Sequence, residues 1–512
     1  MDLYFWGALV RMGQVLLACF PTLIVGWLVA AIFERVLGRE GTYRLFGGNT
    51  WRQLPQAWLL GMLLPVCSLG VIPVMNQMRR SGISGGTTLA FGLTAPLFNP
   101  ISVLYGLTLS DPITILCFSL GSLAIVTLMG LLWDYWLAED SLGIDSIVVA
   151  PHGIQRIAAV LLSMCQIAWN GTTWTVGIAC LGAGVLAALL PAGVLQRAAN
   201  HENVWAPITM AAVSSLAYIT PMSAIVQVAA MFEHGNSVGA AFAMLVLGTG
   251  VNLGTICWSL GTYGLRRTIA WFTSLSIIVL AMGYAFSGPL YPTGVQPADH
   301  THAFDAYCNP FQSDEGHLAG RSLEVLQNSA NASTPELVAA VFSALFLIAG
   351  AILAKLGLTD RWMQALTRRS PNASSRPSLD IVLPDWMIGI VCLMSLFVSS
   401  VAGGFLFYPP SSEIHKEMTL INTEIHSAAL QKDWAAMEHW IPIQEDWAHK
   451  LVVGSYLRRK PLSSYQQMKL HVYMTKLELL EHAAEDRDGD EAKQFGLDMS
   501  RAFRRLFLAI PD

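Results

Sequence analysis

Two short stretches hold most of the residues able to do chemistry inside an otherwise apolar chain. One reads Leu64-Pro65-Val66-Cys67-Ser68-Leu69-Gly70-Val71-Ile72-Pro73, the other Thr94-Ala95-Pro96-Leu97-Phe98-Asn99-Pro100. Proline has no N–H and crowds the preceding turn, so Pro65 and Pro73 flanking Gly70, and Pro96 and Pro100 flanking Asn99, loosen a helix. The carbonyls so freed, with half-helix ends and the Cys67, Ser68, Thr94 and Asn99 side chains, supply polar ligands without a charge. At membrane depth broken backbone is tolerated only where it is buried in protein or lines an aqueous cavity. The chemistry expected here is recognition of a small solute.

A second block repeats the first. Gly82, Ser84, Gly86, Ala90 and Asn99 recur at identical spacing as Gly235, Ser237, Gly239, Ala243 and Asn252, and each block follows a segment with a mid-span proline, Pro221 in the second case. Repeated halves with a substrate site between them are common in transporters. The candidate pathway therefore comprises Pro65, Cys67, Ser68, Gly70, Pro73, Thr94, Pro96, Asn99 and Pro100 from one half and Pro221, Thr249 and Asn252 from the other. Prolines and small residues also serve simply to kink helices and let them pack. Two neighbouring interrupted segments with matching asparagines favour the pathway.

Other motifs carry less. Residues 82–86 and 235–239 fit Gly-x-Ser-x-Gly, but a nucleophile elbow needs a strand-turn-helix setting, whereas these open apolar helices. No phosphate-binding Gly-x-x-x-x-Gly-Lys-Ser/Thr occurs, and no Asp or Glu lies inside the central apolar runs to relay protons. Asp486-Arg487-Asp488-Gly489-Asp490 has its glycine in the wrong place for a calcium loop. Asp299, His300, His302 and Asp305, with Cys308 and His317 nearby, form a polar loop whose imidazoles and carboxylates suit zinc or a similar divalent ion, although solvated loop histidines are commoner. No other cofactor is expected, and the absence of Cys-x-x-Cys-His excludes covalent haem.

The elements that position these residues follow from composition. Of 512 residues 54% are hydrophobic and 13% charged, against about 25% charged for a soluble domain. Uncharged runs cover 12–33, 57–75, 81–110, 112–133, 157–196, 203–232, 235–265, 268–298, 337–354 and 386–408. Most reach the ~20 residues that cross ~30 Å of hydrocarbon as helix, and none alternates as a membrane barrel would. The first run, followed by Glu34 and Arg35, reads as a retained span. Net charge of −5 argues against a nucleic-acid partner, and seven of eight cysteines lie in apolar runs, so no disulfide framework is expected.

The expected fold is an all-α polytopic membrane protein of about ten transmembrane helices: two repeated four-span halves (12–133 and 174–285) within a permease core 1–290, an extracytoplasmic loop 291–336, two extra spans in 337–408 with a cytoplasmic loop 355–385, and a soluble helical bundle 409–512. Basic residues at Arg35, Arg39, Arg44 and Arg52, at Arg266 and Arg267, and at Lys355, Arg361, Arg368, Arg369 and Arg376 mark the cytoplasmic side. Alternation from there puts 134–155 and the C-terminal domain outside, with Arg79 and Arg80 disagreeing. The segment 153–168, too short to span before the turn at 169–172, reads as interfacial or re-entrant. In the tail, Ser463 with Gln466 forms a capping box, and Phe495, Met499, Phe503 and Leu506 mark one apolar helical stripe.

The stretch PVCSLGVIP, followed by RRSGISGGTTLAFGLTAPLFNPIS, resembles the signature of the predicted-permease family that includes YraQ-type proteins and the organoarsenical permease ArsP. The resemblance is specific over 57–105, weaker over 174–285 and absent after about 290. It implies a multi-span permease of the bacterial inner membrane that moves a small solute, with the proline-interrupted segments at its centre. The family often shows Cys-Ser-Cys-Gly where this chain has Cys67-Ser68-Leu69-Gly70. Paired thiolates suit soft metals and trivalent arsenicals, and with one thiol missing arsenical specificity is not carried over; metalloids, metals and small sulfur species remain as solute classes. The partners expected are membrane lipid, the solute and an extracytoplasmic protein for the C-terminal domain. The alternative is a membrane anchor or sensor that presents that domain without transporting.

Overall fold

The computed structural model describes residues 2–46, 52–109, 111–137, 155–171, 173–191, 193–292, 302–311, 318–332, 334–359, 361–363 and 385–510. Among them the chain is all-helical, without a strand. Five helices are long and apolar enough to cross a membrane, Asp2–Leu45, Pro112–Trp136, Leu265–Ser287, Glu336–Lys355 and Ile390–Phe407, or up to seven if two bent pairs each count as one span. Among the described residues this supports a multi-span membrane protein without bearing out the count of about ten transmembrane helices. The reason lies in the interrupted runs.

Run 57–75 folds as two short helices, α3 (Gln53–Leu63) and α4 (Val71–Arg80), joined by an irregular turn. Run 203–232 does the same, giving α11 (Ala206–Ser214) and α12 (Pro221–Glu233). A helix of 11 residues is about 16 Å long, roughly half of the ~30 Å hydrocarbon core, so neither member crosses alone. Run 81–110 splits into α5 (Gly85–Thr94) and α6 (Pro100–Leu109). Run 235–265 splits into α13 (Val238–Ala243), extended by a π turn Met244–Gly248, and α14 (Leu253–Tyr263), bent by 56°.

Straight or gently bent helices frame these pieces: α1 (Asp2–Ile32), continued by a π turn and α2 (Gly38–Leu45), then α7 (Pro112–Trp136) and α15 (Leu265–Ser287). Segment 153–168, expected to be interfacial or re-entrant, is described from Gln155 onward and belongs to a bent helix pair of the kind that a broken span or a re-entrant loop forms. Its described part is α8 (Gln155–Ala168), which meets α9 (Thr173–Leu189) at 48° and packs on α1, with Arg35 Nε donating to Ser163 Oγ at 2.6 Å. A buried guanidinium anchored in this way draws α8 into the helical body.

Contacts sort the helix ends into two groups. In the first, Arg79 at the end of α4 donates to Thr262 O and covers the Tyr263 ring at 4.3 Å, Trp133 near the end of α7 meets Tyr263 with ring centroids 4.6 Å apart, and Gly86 N donates to Asp134. In the second, Tyr291 OH donates to Gly235 O, Tyr284 OH to Val204 O, Asn309 N to Leu190 O, and Arg11 Nε to Cys308 O. The start of α15 and the end of α7 thus share one end of the molecule. Arg79 and Arg80 share it with Arg266 and Arg267. The alternation count places Arg79 and Arg80 at the end opposite to Arg266 and Arg267. That count treats 57–75 as a crossing, whereas α3 and α4 go in and come back: Leu54 of α3 packs on Gly130 of α7, at the same end as Arg79.

Two compact units result, Met1–Val103 with Pro112–Ser400, and Leu104–Asp111 with Val401–Asp512. In the second, α19 (Ser411–Gln431), α20 (Trp434–Leu457), α21 (Ser464–Glu485) and α22 (Gly489–Ala509) follow the apolar α18 (Asp385–Phe407) and enclose one core that includes Ile414, Ile425, Leu451, Tyr473, Met499 and Leu506. Ser463 caps α21 in a capping box with Gln466.

Candidate functional site

The turn between α3 and α4 is built from backbone that prolines and a small residue keep from continuing as helix. Leu64 turns extended, Pro65 cannot donate, and Gly70 N finds the Cys67 sulfur at 3.2 Å. Pro73 does not break anything: it stands in the first turn of α4, where its missing N–H would be unpaired in any case. Cys67, Ser68, Gly70 and Pro73 are buried, whereas Pro65 is exposed. The turn is pressed against α1. A Cβ on Gly26 would lie 1.9 Å from Gly70 O, so the two backbones touch and only glycine fits.

The blocks 82–99 and 235–252 adopt similar local structure. Ser84 and Ser237 each cap a helix by accepting from the backbone N–H three residues on. Gly82 and Gly235 precede them in the left-handed region, at φ 85° and 65°. Gly86 packs on Gly130 O of α7, and Gly239 on Gly283 O of α15. Both blocks then break before an asparagine that caps the next helix. Asn99 Oδ1 accepts from Ser102 N at 2.7 Å while Asn99 N donates to Ser102 Oγ at 2.9 Å; Asn252 Oδ1 accepts from Thr255 N at 3.0 Å while Asn252 N donates to Thr255 Oγ1 at 2.9 Å. Before the breaks, Thr94 and Thr249 return their hydroxyls to the carbonyls of Ala90 and Leu245. Pro96 lies buried in the first break, and Pro100 opens α6 at its first position.

Several of these parts meet. Fully buried Asn252 donates through Nδ2 to Ser68 Oγ at 2.6 Å, joining the second broken helix to the α3–α4 turn. Gly61 of α3 lies against Thr94 and Ala95, and Gly250 against Leu93 and Leu97. From the other hairpin, Leu216 O lies against Gly182 of α9, and Tyr218 sits beside Cys67, Cys19 and Thr22. Thr220 caps α12, with Pro221 at its first position. A void next to this junction, lined by Met75, Leu93, Gly250, Thr255 and Trp258, measures about 10 Å³, the room of a single water at most, so the junction is closed in this conformation. The junction groups are hydroxyls, an amide, thiols and carbonyls; a charged side chain would need a partner at such depth.

The predicted-permease family matches residues 6–288, more than half of the chain. The chain belongs to this family. The permease is 23% identical over 287 residues to the UPF0718 protein YcgR of Bacillus subtilis (strain 168), a match that covers 52% of this chain and 92% of that one. It is 22% identical over 88 residues to the "Putative two-component membrane permease complex subunit" of Streptococcus mutans, covering 17% of this chain and 29% of that protein. No solved structure matches it. Family and apolar helices together make the permease a multi-pass membrane protein and point to transport rather than catalysis.

Residues beyond the candidates also build this junction and its caps. Ser102 and Thr255 complete the two asparagine caps, and an Asn-x-x-Ser/Thr pattern at matching positions signals both. Tyr218, Cys19 and Cys180 carry no such local signal; Cys19 of α1 comes to lie near both Cys67 and Cys180 only through the packing of α1 on α9 and on the α3–α4 turn. Asp134, one residue beyond the uncharged run 112–133, accepts from Gly86 N at 3.1 Å and Ser84 Oγ at 3.2 Å, closing the N-terminus of α5. Of the loop candidates for a metal, Asp299 and His300 lie outside the described residues. The backbone of His302 and Asp305 forms part of a 3₁₀ turn, His302–Tyr307, whose Tyr307 hydroxyl donates to Gln227 of α12. No metal-binding group of three His, Cys, Asp or Glu occurs among the described residues.

Proposed function

We propose that this chain is a permease for a small solute and that its solute site is the junction where the α3–α4 turn meets the capped breaks. The carrying observation is the buried Asn252–Ser68 hydrogen bond. It joins two proline- or glycine-interrupted segments through a buried polar contact, and broken backbone at membrane depth is tolerated where it is buried in protein or lines a cavity.

The halves are read as an inverted repeat. The first consists of α1, the α3–α4 hairpin, the α5–α6 broken span and α7; the second of α8–α9, the α11–α12 hairpin, α13–α14 and α15. The end of α7 and the end of α15 lie in opposite groups of contacts, and the hairpins enter from those same opposite ends. Matching caps, matching glycine contacts and opposed directions support this reading, and inverted halves with hairpin tips at mid-depth are a known transporter plan. Eight crossings and two re-entrant hairpins then account for the ten apolar runs.

Orientation follows the basic residues. Leu326, in the helix Leu318–Ala332, packs on Gly13, and Phe346 of the following α17 (Thr334–Lys355) on Trp27, so the chain runs alongside α1 and is read as bringing Lys355 to the end shared by Arg35, Arg79, Arg80, Arg266 and Arg267. That end is read as cytoplasmic in a bacterial inner membrane, with the C-terminal domain outside. Uncharged ligands at the junction favour a neutral solute, and metalloid hydroxides and small sulfur compounds fit that chemistry. Reconstituted vesicles test the reading. At least one solute from such a panel should pass through the wild type and be blocked by Asn99→Leu at unchanged thermal stability. Equal flux in wild type and variant would remove Asn99 from the pathway.

A further inference from the structure

The second compact unit is charge-polarised. Residues 478–491, at the α21–α22 turn, carry seven Asp or Glu and one Arg. The opposite end is basic and is the end at which the chain leaves its last apolar helix. There Arg458 donates to Tyr408 O at 2.6 Å, Lys450 Nζ covers the Phe407 ring at 4.9 Å, and Arg458-Arg459-Lys460 closes α20. The ends of α21 and α22 that face the same way are fixed by Gln466 Nε2, which donates to Ala509 O at 2.8 Å, and by Phe507 stacked on His415 at 3.8 Å.

Between α21 and α22, about one to three turns from that end, lies a cleft of about 220 Å³ lined by Lys469, Lys476, Arg501 and Arg505, with Val472 also lining it and Asp498 as its one carboxylate. Asp498 is engaged by Arg501 at 3.3 Å, and among the described residues none of Lys469, Lys476 and Arg505 is ion-paired. Like charges gathered in a concavity of an acidic protein need a counter-ion, and a phosphate matches both the ammonium and guanidinium donors. Next to a bilayer the phosphates at hand belong to lipid headgroups.

We propose that this cleft binds the phosphate of an anionic phospholipid headgroup, tying the C-terminal unit to the membrane surface. The test uses the full-length protein in detergent, titrated with dioctanoyl phosphatidylglycerol and followed by native mass spectrometry. Lys469→Gln with Arg505→Gln should weaken the lipid by about tenfold, and Asp498→Asn should tighten it. Dioctanoyl phosphatidylcholine should bind no better to the wild type than to the double variant. Millimolar inorganic phosphate should leave the bound lipid in place. Equal phosphatidylglycerol affinity in wild type and double variant overturns the proposal. So does full displacement by inorganic phosphate, which would assign the cleft to a free anion, or an unchanged affinity for Asp498→Asn.

Discussion

The Ser68–Asn252 contact can be isolated by a double-mutant cycle. Asn252→Ser keeps a hydroxyl able to accept from Thr255 N, and serine ranks with asparagine as a cap, so the change removes chiefly the bond to Ser68. Ser68→Ala removes the same bond from the other side and leaves a buried amide donor unpaired. Leaving such a group unsatisfied costs about 1–3 kcal/mol in a soluble core. Inside a membrane the unfolded state also finds partners, and measured couplings average about 0.6 kcal/mol with a maximum near 1.7. At 2.6 Å and with Asn252 wholly buried, this bond belongs in the upper part of that range, about 1–1.5 kcal/mol. The assay is reversible unfolding of wild type, both single variants and the double variant in mixed micelles. The double variant should be more stable than the sum of the single losses predicts, by that amount. Additivity within about 0.5 kcal/mol would mean that the two groups do not interact, and the junction as drawn would be wrong.

Three further outcomes are expected. Gly26→Ala forces a methyl onto Gly70 O and should abolish monodisperse folded protein by size-exclusion chromatography, whereas Gly177→Ala, which meets nothing within 4 Å on α9, should keep or gain stability by up to about 1 kcal/mol. With native thiols blocked, cysteines at Arg80 and Arg266 should both resist an impermeant maleimide in intact cells, and one at Val204 should react; opposite results at the first two would break the shared-end assignment. Burial holds the His449 imidazole below its ordinary range, so the folded domain binds fewer protons than the unfolded chain. The stability of the C-terminal unit should be complete above the unfolded value of about 6.5 and fall as pH drops below it. His449→Gln should flatten that decline in a thermal scan, and an unchanged slope would assign it to other groups.

Much of the membrane framework was legible because a charge is costly in hydrocarbon: the uncharged runs mark every apolar helix of the first unit. What composition does not encode is direction. A run of about 20 apolar residues is consistent with one straight crossing or with two half-length helices that return, and the difference rests on whether the middle can hold an extended turn. Pro65 and Gly70 announced such a turn; in the second hairpin the turn at 215–220 carries only Pro221 at the start of the next helix. Counting each run as a crossing separates Arg79 and Arg80 from Arg266 and Arg267, which the structure brings to one end. The basic pair itself carried the correction, since Arg79 closes on Tyr263 next to Arg266.

The site was legible in proportion to how local its chemistry is. An asparagine cap needs a hydroxyl three residues later, so the pairs Asn99–Ser102 and Asn252–Thr255 are written in adjacent letters. The Ser68–Asn252 bond joins residues 184 positions apart, and no spacing rule reaches that far. What does reach is backbone proximity. Gly26 against Gly70 and Gly86 against Gly130 let helices approach until carbonyls and small side chains touch, and this approach sets where Ser68, Cys67 and Tyr218 converge. The small residues that a packing reading treats as background are thus the elements that assemble the junction. The interrupted segments supply the polar groups of the junction, and the glycines decide which of them meet.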